Sequence, residues 1–357
     1  MKIAVDYQSA AGKKTGIGVA AYNLVEAMQK EARDIRFLLY SSGRPGMNTP
    51  RRILWESAEI PLRALKDRPD LVYSPGFAPA FCSPVPQVVT VHDLIGLAWP
   101  GNQRAFSGWY WSRWLPAAVR RASCIVASSE STRSDLRKFL NIDEKRVRVV
   151  PLGVHPSFRK LDDPARVRAV LEKYGLKEPY MISVSTLEPR KNHLRLLQAY
   201  EKLKKAGRAG FSLAIIGKPG GAEQALWRFV KEKDLGSSVH FLGYVEHEEL
   251  ICLYNAAMGY AMISLYEGFG LPVLEAMSCG LSGICSDSSS LPEVAGDTAL
   301  SVDPGSVDGI TRALEAFSQD APRRAALAQA ASQRSKTFSM AQCAQQMIEV
   351  FRNEFQK

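Results

Sequence analysis

The amino-acid sequence predicts an α/β protein built from two doubly wound parallel sheets in tandem. Three observations carry that prediction. Short apolar runs alternate with helix-length amphipathic stretches, the pattern of βαβ units. The pattern pauses at the polar stretch Arg159-Lys160-Leu161-Asp162-Asp163-Pro164 and then restarts. The length, 357 residues, is that of about two domains at roughly 150 residues each.

In the first half, strands are expected at Lys2–Tyr7, Ile35–Tyr40, Leu71–Ser74, Gln87–His92, Cys124–Ser128 and Val147–Pro151. Helical stretches lie between them at about 18–31, 103–121 and 131–140. In the second half, strands are expected at Tyr180–Ser185, Phe211–Gly217, Val239–Gly243, Gly259–Ser264 and Gly283–Ser286. Helices there fall near 192–206, 222–234, 247–256, 272–279, 306–317 and 321–337, and a last one, about 340–356, follows a Ser339 cap. The domains are therefore taken as 1–160 and 165–338. The cleft between two such sheets, at the carboxyl ends of their strands, is the expected ligand site.

Composition excludes several classes. An apolar fraction of 46% and a charged fraction of 23% are those of a globular protein, not a disordered or collagenous one. No run of about 18 uncharged apolar residues offers a membrane span. Met1-Lys2-Ile3-Ala4-Val5-Asp6 reads as a strand rather than a signal peptide. The six cysteines form no CxxC pair, so reduced thiols in a cytoplasmic protein are expected. The net charge of +10 favours anionic partners. Much of the excess lies in residues 101–160, with twelve basic residues against four acids.

Most familiar motifs fail. Gly16-Ile17-Gly18-Val19-Ala20-Ala21 fits G-x-G-x-x-A, but eight residues separate it from the first strand, and the second strand ends in Tyr40-Ser41-Ser42 with no acid for a ribose. These glycines are either a close approach to an anion at a helix start or a surface loop. There is no P-loop, no GxSxG and no Asp-x-Asp. His247-Glu248-Glu249-Leu250-Ile251 lacks the second histidine of a zincin, and five histidines supply no metal cage.

Two blocks carry chemistry. Ser264 to Met277 reads as a strand end, a loop with Gly268 and Gly270, and a helix with Pro272 in its first turn. Loop amides and helix N-terminus make an anion-binding corner. Glu267 lies in that loop and Glu275 about one turn into the helix, either as helix-dipole partners or as acceptors for sugar hydroxyls. In the second block, Arg190 and Lys191 stand just before a helix, either as a solvated basic loop or as the pair that neutralises a departing diphosphate.

Together these residues resemble the retaining GT-B glycosyltransferases of family 4 (group 1), and most nearly the mannosyltransferases of bacterial polysaccharide or lipopolysaccharide assembly. The markers span nearly the whole chain: Thr15–Gly18, Val91–Leu94, Ser128–Thr132, Pro151–Val154, Leu187–Asn192, Gly243–Val245, Glu267–Met277 and Leu291–Val294. The resemblance implies two Rossmann-like domains, with the C-terminal helix, 340–357, crossing back to the first. It implies that Glu275 holds the nucleotide ribose, that Glu267 contacts the transferred sugar, and that the loop Gly268, Phe269, Gly270 and Leu271 offers backbone amides to sugar or phosphates. Arg190 and Lys191 would bind the diphosphate, Gly16 and Gly18 would close over it, and His92 would touch the sugar near the anomeric carbon through side chain or carbonyl. Gly243, Tyr244 and Val245 would border the base. Many relatives carry Gly-Arg where Ser185-Thr186 stand here, which shifts phosphate charge onto Arg190 and Lys191. No metal or other cofactor is implied. The donor implied is a nucleotide sugar, GDP-mannose first, with a GDP-deoxyhexose or a UDP-sugar as alternatives. The acceptor is a saccharide or a lipid-diphosphate-linked saccharide.

Residues 103–122 place Trp109, Trp111 and Trp114 among arginines. Tryptophan with arginine suits an anionic membrane surface; the alternative is aromatics packed on the sheet. A peripheral position on the cytoplasmic membrane follows from the first. A nucleic-acid-binding protein would explain the charge but not the glutamates, and no nucleic-acid motif is visible. A phosphorylase, an epimerase or a lectin-like relative are further alternatives.

Overall fold

The structure, a computed structural model, describes residues 1–10, 16–43, 47–76, 78–99 and 108–357. The expectations for Thr15 and for residues 103–107 of the tryptophan segment lie outside the described residues. The chain divides into two units, Met1–Gly153 with Ser339–Lys357, and Val154–Phe338.

The first unit holds a six-stranded parallel sheet in the order β2-β1-β3-β4-β5-β6. Its strands are β1 (Lys2–Asp6), β2 (Arg36–Tyr40), β3 (Leu71–Ser74), β4 (Gln87–Val91), β5 (Cys124–Ala127) and β6 (Val147–Val149). The central strands are buried on both faces and read as apolar runs, as parallel strands must. The C-terminal helix Met340–Phe355 belongs to this unit. A capping box at Ser339 starts it. Its Met347, Ile348 and Phe351 share one core with Ile3, Val5, Leu24, Val25, Met28 and Tyr73.

The second unit holds another six-stranded parallel sheet, order β12-β11-β10-β7-β8-β9. Its strands are β7 (Tyr180–Val184), β8 (Ser212–Ile216), β9 (Val239–Gly243), β10 (Gly259–Met262), β11 (Gly283–Ser286) and β12 (Ala299–Val302). The order reverses between β7 and β10, so the chain leaves these two neighbours in opposite directions. Such a reversal is where open α/β sheets place a ligand crevice, beyond the carboxyl ends of the strands.

Four elements depart from expectation. Helical structure covers Thr49–Asp67, interrupted by a π-turn at Trp55–Glu59. A helix spans Pro164–Tyr174, starting where the polar stretch ends. That stretch lies inside the second unit, where Arg159 and Leu161 hydrogen-bond Asn255. Strand β12 is a sixth strand beyond the five expected. The described part of the 103–121 helix is a π-turn, Tyr110–Trp114, leading into Leu115–Val119.

The tryptophan segment is largely inward-facing. Trp111 packs on Gly96, where an added Cβ would lie 2.1 Å from the indole. Trp114 stacks on Phe81 at 4.6 Å and donates its indole N–H to Glu56. Trp109 is 45% exposed. Among the described residues no helix is long and apolar enough to cross a membrane.

Candidate active site

The reversal point of the second sheet is flanked by the loops that follow β7 and β10. These two loops carry both blocks singled out from the sequence. The β7 loop runs through a short 3-10 turn, Pro189–Lys191, and ends at Asn192 with φ +62°. Asn192 is buried, and its amide donates to Ile263 O (3.0 Å) and Pro304 O (2.8 Å). The Leu265 N–H donates to Arg190 O at 2.8 Å. The two loops are therefore tied backbone to backbone before any side chain meets.

Three expected residues converge there. Lys191 donates from Nζ to Glu267 Oε1 at 2.5 Å, and Ser264 Oγ donates to the same oxygen at 2.7 Å. Arg190 donates from Nη1 to Glu267 Oε2 (3.3 Å) and to Tyr266 O (3.1 Å), and from Nε to Glu188 Oε2 (2.8 Å). Two cations and two carboxylates balance. Burial pushes the Glu267 carboxyl up, but Lys191 and Arg190 outweigh it and hold it below the ordinary value, so it is ionised at neutral pH. Lys191 and Glu267 are 9% and 8% exposed. Arg190 Nη2 and two N–H donors of Lys191 have no partner among the described residues. The sequence did not reveal Glu188 as a partner of Arg190.

Beyond Glu267 the chain turns at Gly270 (φ +107°) into the helix Leu271–Ser278. A Cβ at Gly270 would sit 2.6 Å from Leu291 Cδ2, so both space and backbone require glycine. The amides of Phe269 and Gly270 bond to no backbone carbonyl among the described residues. They lead into the N-terminal end of an eight-residue helix, the positive end of its dipole. Glu275 lies on this helix and accepts from the Tyr254 hydroxyl at 3.3 Å. Burial raises its carboxyl to about 7.

Gly243 ends β9, two strands from β7, and Tyr244 and Val245 follow it. Gly243 has φ +67° and its carbonyl accepts from Gly217 N–H at 2.8 Å. Tyr244 is 55% exposed with Lys218 Nζ 4.5 Å from its ring centre, while Val245 is buried. At the end of β7, Ser185 Oγ meets His193 Nε2 at 3.3 Å, and burial followed by Lys191 depresses His193 to about 4. This imidazole is neutral and adds no charge.

The remaining expected residues belong to the first unit. His92 follows β4. Its Nε2 lies 2.8 Å from Pro75 O, which only accepts, so Nε2 carries the proton and Nδ1 is a bare acceptor. Nδ1 has no partner among the described residues. Burial lowers the His92 pKa, which favours this neutral form. The His92 carbonyl accepts from Ser128 Oγ (2.8 Å) and Thr132 Oγ1 (3.0 Å). Gly16 caps the helix Ile17–Glu31, and Gly18 is required there because a Cβ would lie 2.4 Å from Ser9 O. Among the described residues no three His, Cys, Asp or Glu side chains converge as a metal site would need.

Comparison with known proteins adds independent findings. A family profile described as "Glycosyl transferases group 1" matches residues 168–334, and one described as "Glycosyltransferase Family 4" matches residues 15–158. O-antigen chain mannosyltransferase B of Escherichia coli is 34% identical over 308 residues, covering 85% of this chain and 77% of that protein. Serotype-specific mannosyltransferase WbdA of Escherichia coli is 32% identical over 305 residues, 79% of this chain but 37% of its own length. Among solved structures, sucrose-phosphate synthase from Thermosynechococcus elongatus superposes with a TM-score of 0.80 at 19% identity, covering 99% of each chain. Anabaena Alr3699/HepE in complex with UDP-glucose gives 0.79 at 19% identity, covering 99% and 100%.

Proposed function

The chain belongs to the group 1 glycosyltransferases of family 4, and from that premise we propose that it moves mannose from GDP-mannose to a saccharide or lipid-linked saccharide in cell-surface glycan synthesis, with retention of configuration. The mannose assignment is supported by two relatives above 30% identity whose names say mannosyltransferase. The observation that carries the site is the Arg190–Glu267–Lys191 cluster beside the Gly270 helix start.

The leaving diphosphate gains negative charge as the glycosidic bond breaks. The unpartnered donors of Arg190 and Lys191 and the amides of Phe269, Gly270 and Leu271 are set in advance to receive that charge, so the reading needs no metal. Removing one such donor typically costs about 10²–10³ in rate. Glu267, ionised between its cations, is the acceptor for hydroxyls of the transferred sugar. Glu275 accepts from the ribose hydroxyls, and Gly243–Val245 border the base. Gly16 and Gly18 keep the phosphate role, and His92 the sugar contact through side chain or carbonyl, that their motifs imply by family resemblance. The acceptor hydroxyl attacks from the leaving-group face and gives its proton to the diphosphate oxygen.

A thermal-shift panel of GDP, UDP, ADP and their sugar conjugates tests the donor. Ligand at about 100 times its Kd adds about 2.7 kcal/mol, a shift of about 5–10 °C for a unit of this size. A shift with GDP and GDP-mannose, followed by mannose transfer, is expected. A shift confined to GDP and a GDP-deoxyhexose, or to UDP-sugars, would replace mannose. No shift with any nucleotide would sink the transferase reading of the site.

We place the enzyme on the cytoplasmic face of the membrane as a peripheral protein. The support is narrower than the sequence suggested: exposed Trp109 with exposed Arg113, Arg120 and Arg121. Salt-sensitive sedimentation with anionic liposomes is expected; its absence would remove this placement and leave the reaction untouched.

A further inference from the structure

The loop that carries Glu267 is strapped to the loop after β11 by serine hydroxyls that none of the roles above uses. Ser286 Oγ donates to Ser264 O at 2.7 Å, and Ser288 Oγ donates to Leu265 O at 2.9 Å. The next two serines hold Glu267 from both sides. The Glu267 N–H donates to Ser289 Oγ at 2.8 Å, and Ser290 Oγ donates to Glu267 O at 2.9 Å. Ser264, Ser286 and Ser290 are fully buried. Ser289 is left-handed, with φ +54°. That conformation costs a non-glycine residue about 1 kcal/mol or more, and such strain clusters where a site needs it. Here it puts Oγ against the Glu267 amide.

We propose that Ser289 and Ser290 are positioning residues for Glu267, acting through its backbone rather than on the substrate. The inference rests on the reading of Glu267 as a donor-site residue. The Glu267 carboxylate takes one donor from Lys191, one from Arg190 and one from Ser264. Where its backbone sits decides how many donors of the two cations remain for the diphosphate. A misplacement of about 1 Å at such a point is enough to cost roughly a hundredfold in rate.

Ser289→Gly separates positioning from fold support. Glycine adopts φ +54° without strain, so the loop keeps its backbone and loses only the acceptor. With GDP-mannose as donor, or the sugar nucleotide that the thermal-shift panel selects, kcat is expected to fall about tenfold or more. Donor KM and the nucleotide-induced Tm shift should change by much less than kcat does, because the ribose and base contacts are elsewhere and only the donors to the diphosphate are disturbed. Ser290→Ala should show the same split. Glu267→Gln is run beside them. If Glu267→Gln loses at least a hundredfold while Ser289→Gly and Ser290→Ala both keep kcat within threefold, the positioning assignment is wrong. If kcat falls only in step with a lowered Tm, the serines support the fold and nothing more, which also overturns it. If Glu267→Gln itself keeps its rate, the underlying reading of Glu267 fails.

Discussion

Glu275→Gln should stabilise this protein at alkaline pH while disabling it. Burial raises the Glu275 carboxyl from 4.5 to about 7. A carboxyl raised in the folded state gives full stability below its unfolded value, near 4.5, and loses it as pH rises through about 7. A tenfold change in an ionisation constant corresponds to about 1.4 kcal/mol, so the ionised form costs the native state at most about 3 kcal/mol, and about 1–3 kcal/mol once its partial exposure is allowed for. Glutamine keeps the shape and a carbonyl for the Tyr254 hydroxyl but never ionises. At pH 8 its Tm should exceed that of the wild type by about 2–12 °C, at about 2–4 °C per kcal/mol for a unit of this size. At pH 5 the two proteins should melt within about 2 °C of each other. Transfer should fall at least a hundredfold at pH 8, because an amide offers one acceptor where the ribose needs a carboxylate. In the wild type, donor KM should rise as pH drops below about 7, by up to tenfold for each further step of one in pH, as the carboxylate is protonated. Melting curves at the two pH values and a KM profile from pH 5.5 to 8.5 measure all of this. A glutamine variant that is less stable at pH 8 would refute the burial argument, and one that keeps its rate would refute the ribose role.

Lys191→Met should lose at least a hundredfold in kcat and lower the Tm as well, since a buried Glu267 carboxylate then keeps only Arg190 and Ser264; breaking such a pair typically costs about 3–5 kcal/mol. An unchanged Tm would mean that Glu267 reaches water. Gly270→Ala places a Cβ 2.6 Å from Leu291 Cδ2 at φ +107°. It should destabilise by about 1–2 kcal/mol and slow transfer by moving the helix start; thermal melting within 1 °C of the wild type would contradict the packing drawn here.

The regular elements were legible where the pattern was strong. Eleven of the twelve described strands follow from apolar runs, and β12 was lost because Ala299-Leu300-Ser301-Val302 is a four-residue edge strand with an exposed serine. The helical segment 49–67 hid behind Pro50, Pro61 and a π-turn that breaks the 3.6-residue period. Pro164–Tyr174 buries only Leu171, so it has almost no apolar face to detect. At the site, Arg190, Lys191, Glu267 and Glu275 were visible as charges beside glycine and proline punctuation. Their mutual neutralisation was not, because residues 77 positions apart meet only through the sheet reversal. The serine ladder escaped for a related reason. Hydroxyl bonds to backbone follow no period, and Ser286-Asp287-Ser288-Ser289-Ser290 looks like an ordinary polar turn. The tryptophans left both a membrane face and packing on the sheet open, since their spacing does not say which face of a π-turn is buried.

The route of the chain also sets the order in which the two units can form. The first unit needs residues 339–357, which leave the ribosome after every residue of the second. Phe351, fully buried against Tyr73 at 5.0 Å between ring centres, is the keystone added once the second unit is complete. Synthesis therefore delivers a second unit already holding all its own residues while the first still exposes the apolar face around Ile3, Val5 and Met28. Domains elsewhere usually close from the N-terminus onward. Here the N-terminal core, already joined by Leu24, Val25 and Met28, lacks Met347, Ile348 and Phe351 until translation of the helix Met340–Phe355 supplies them.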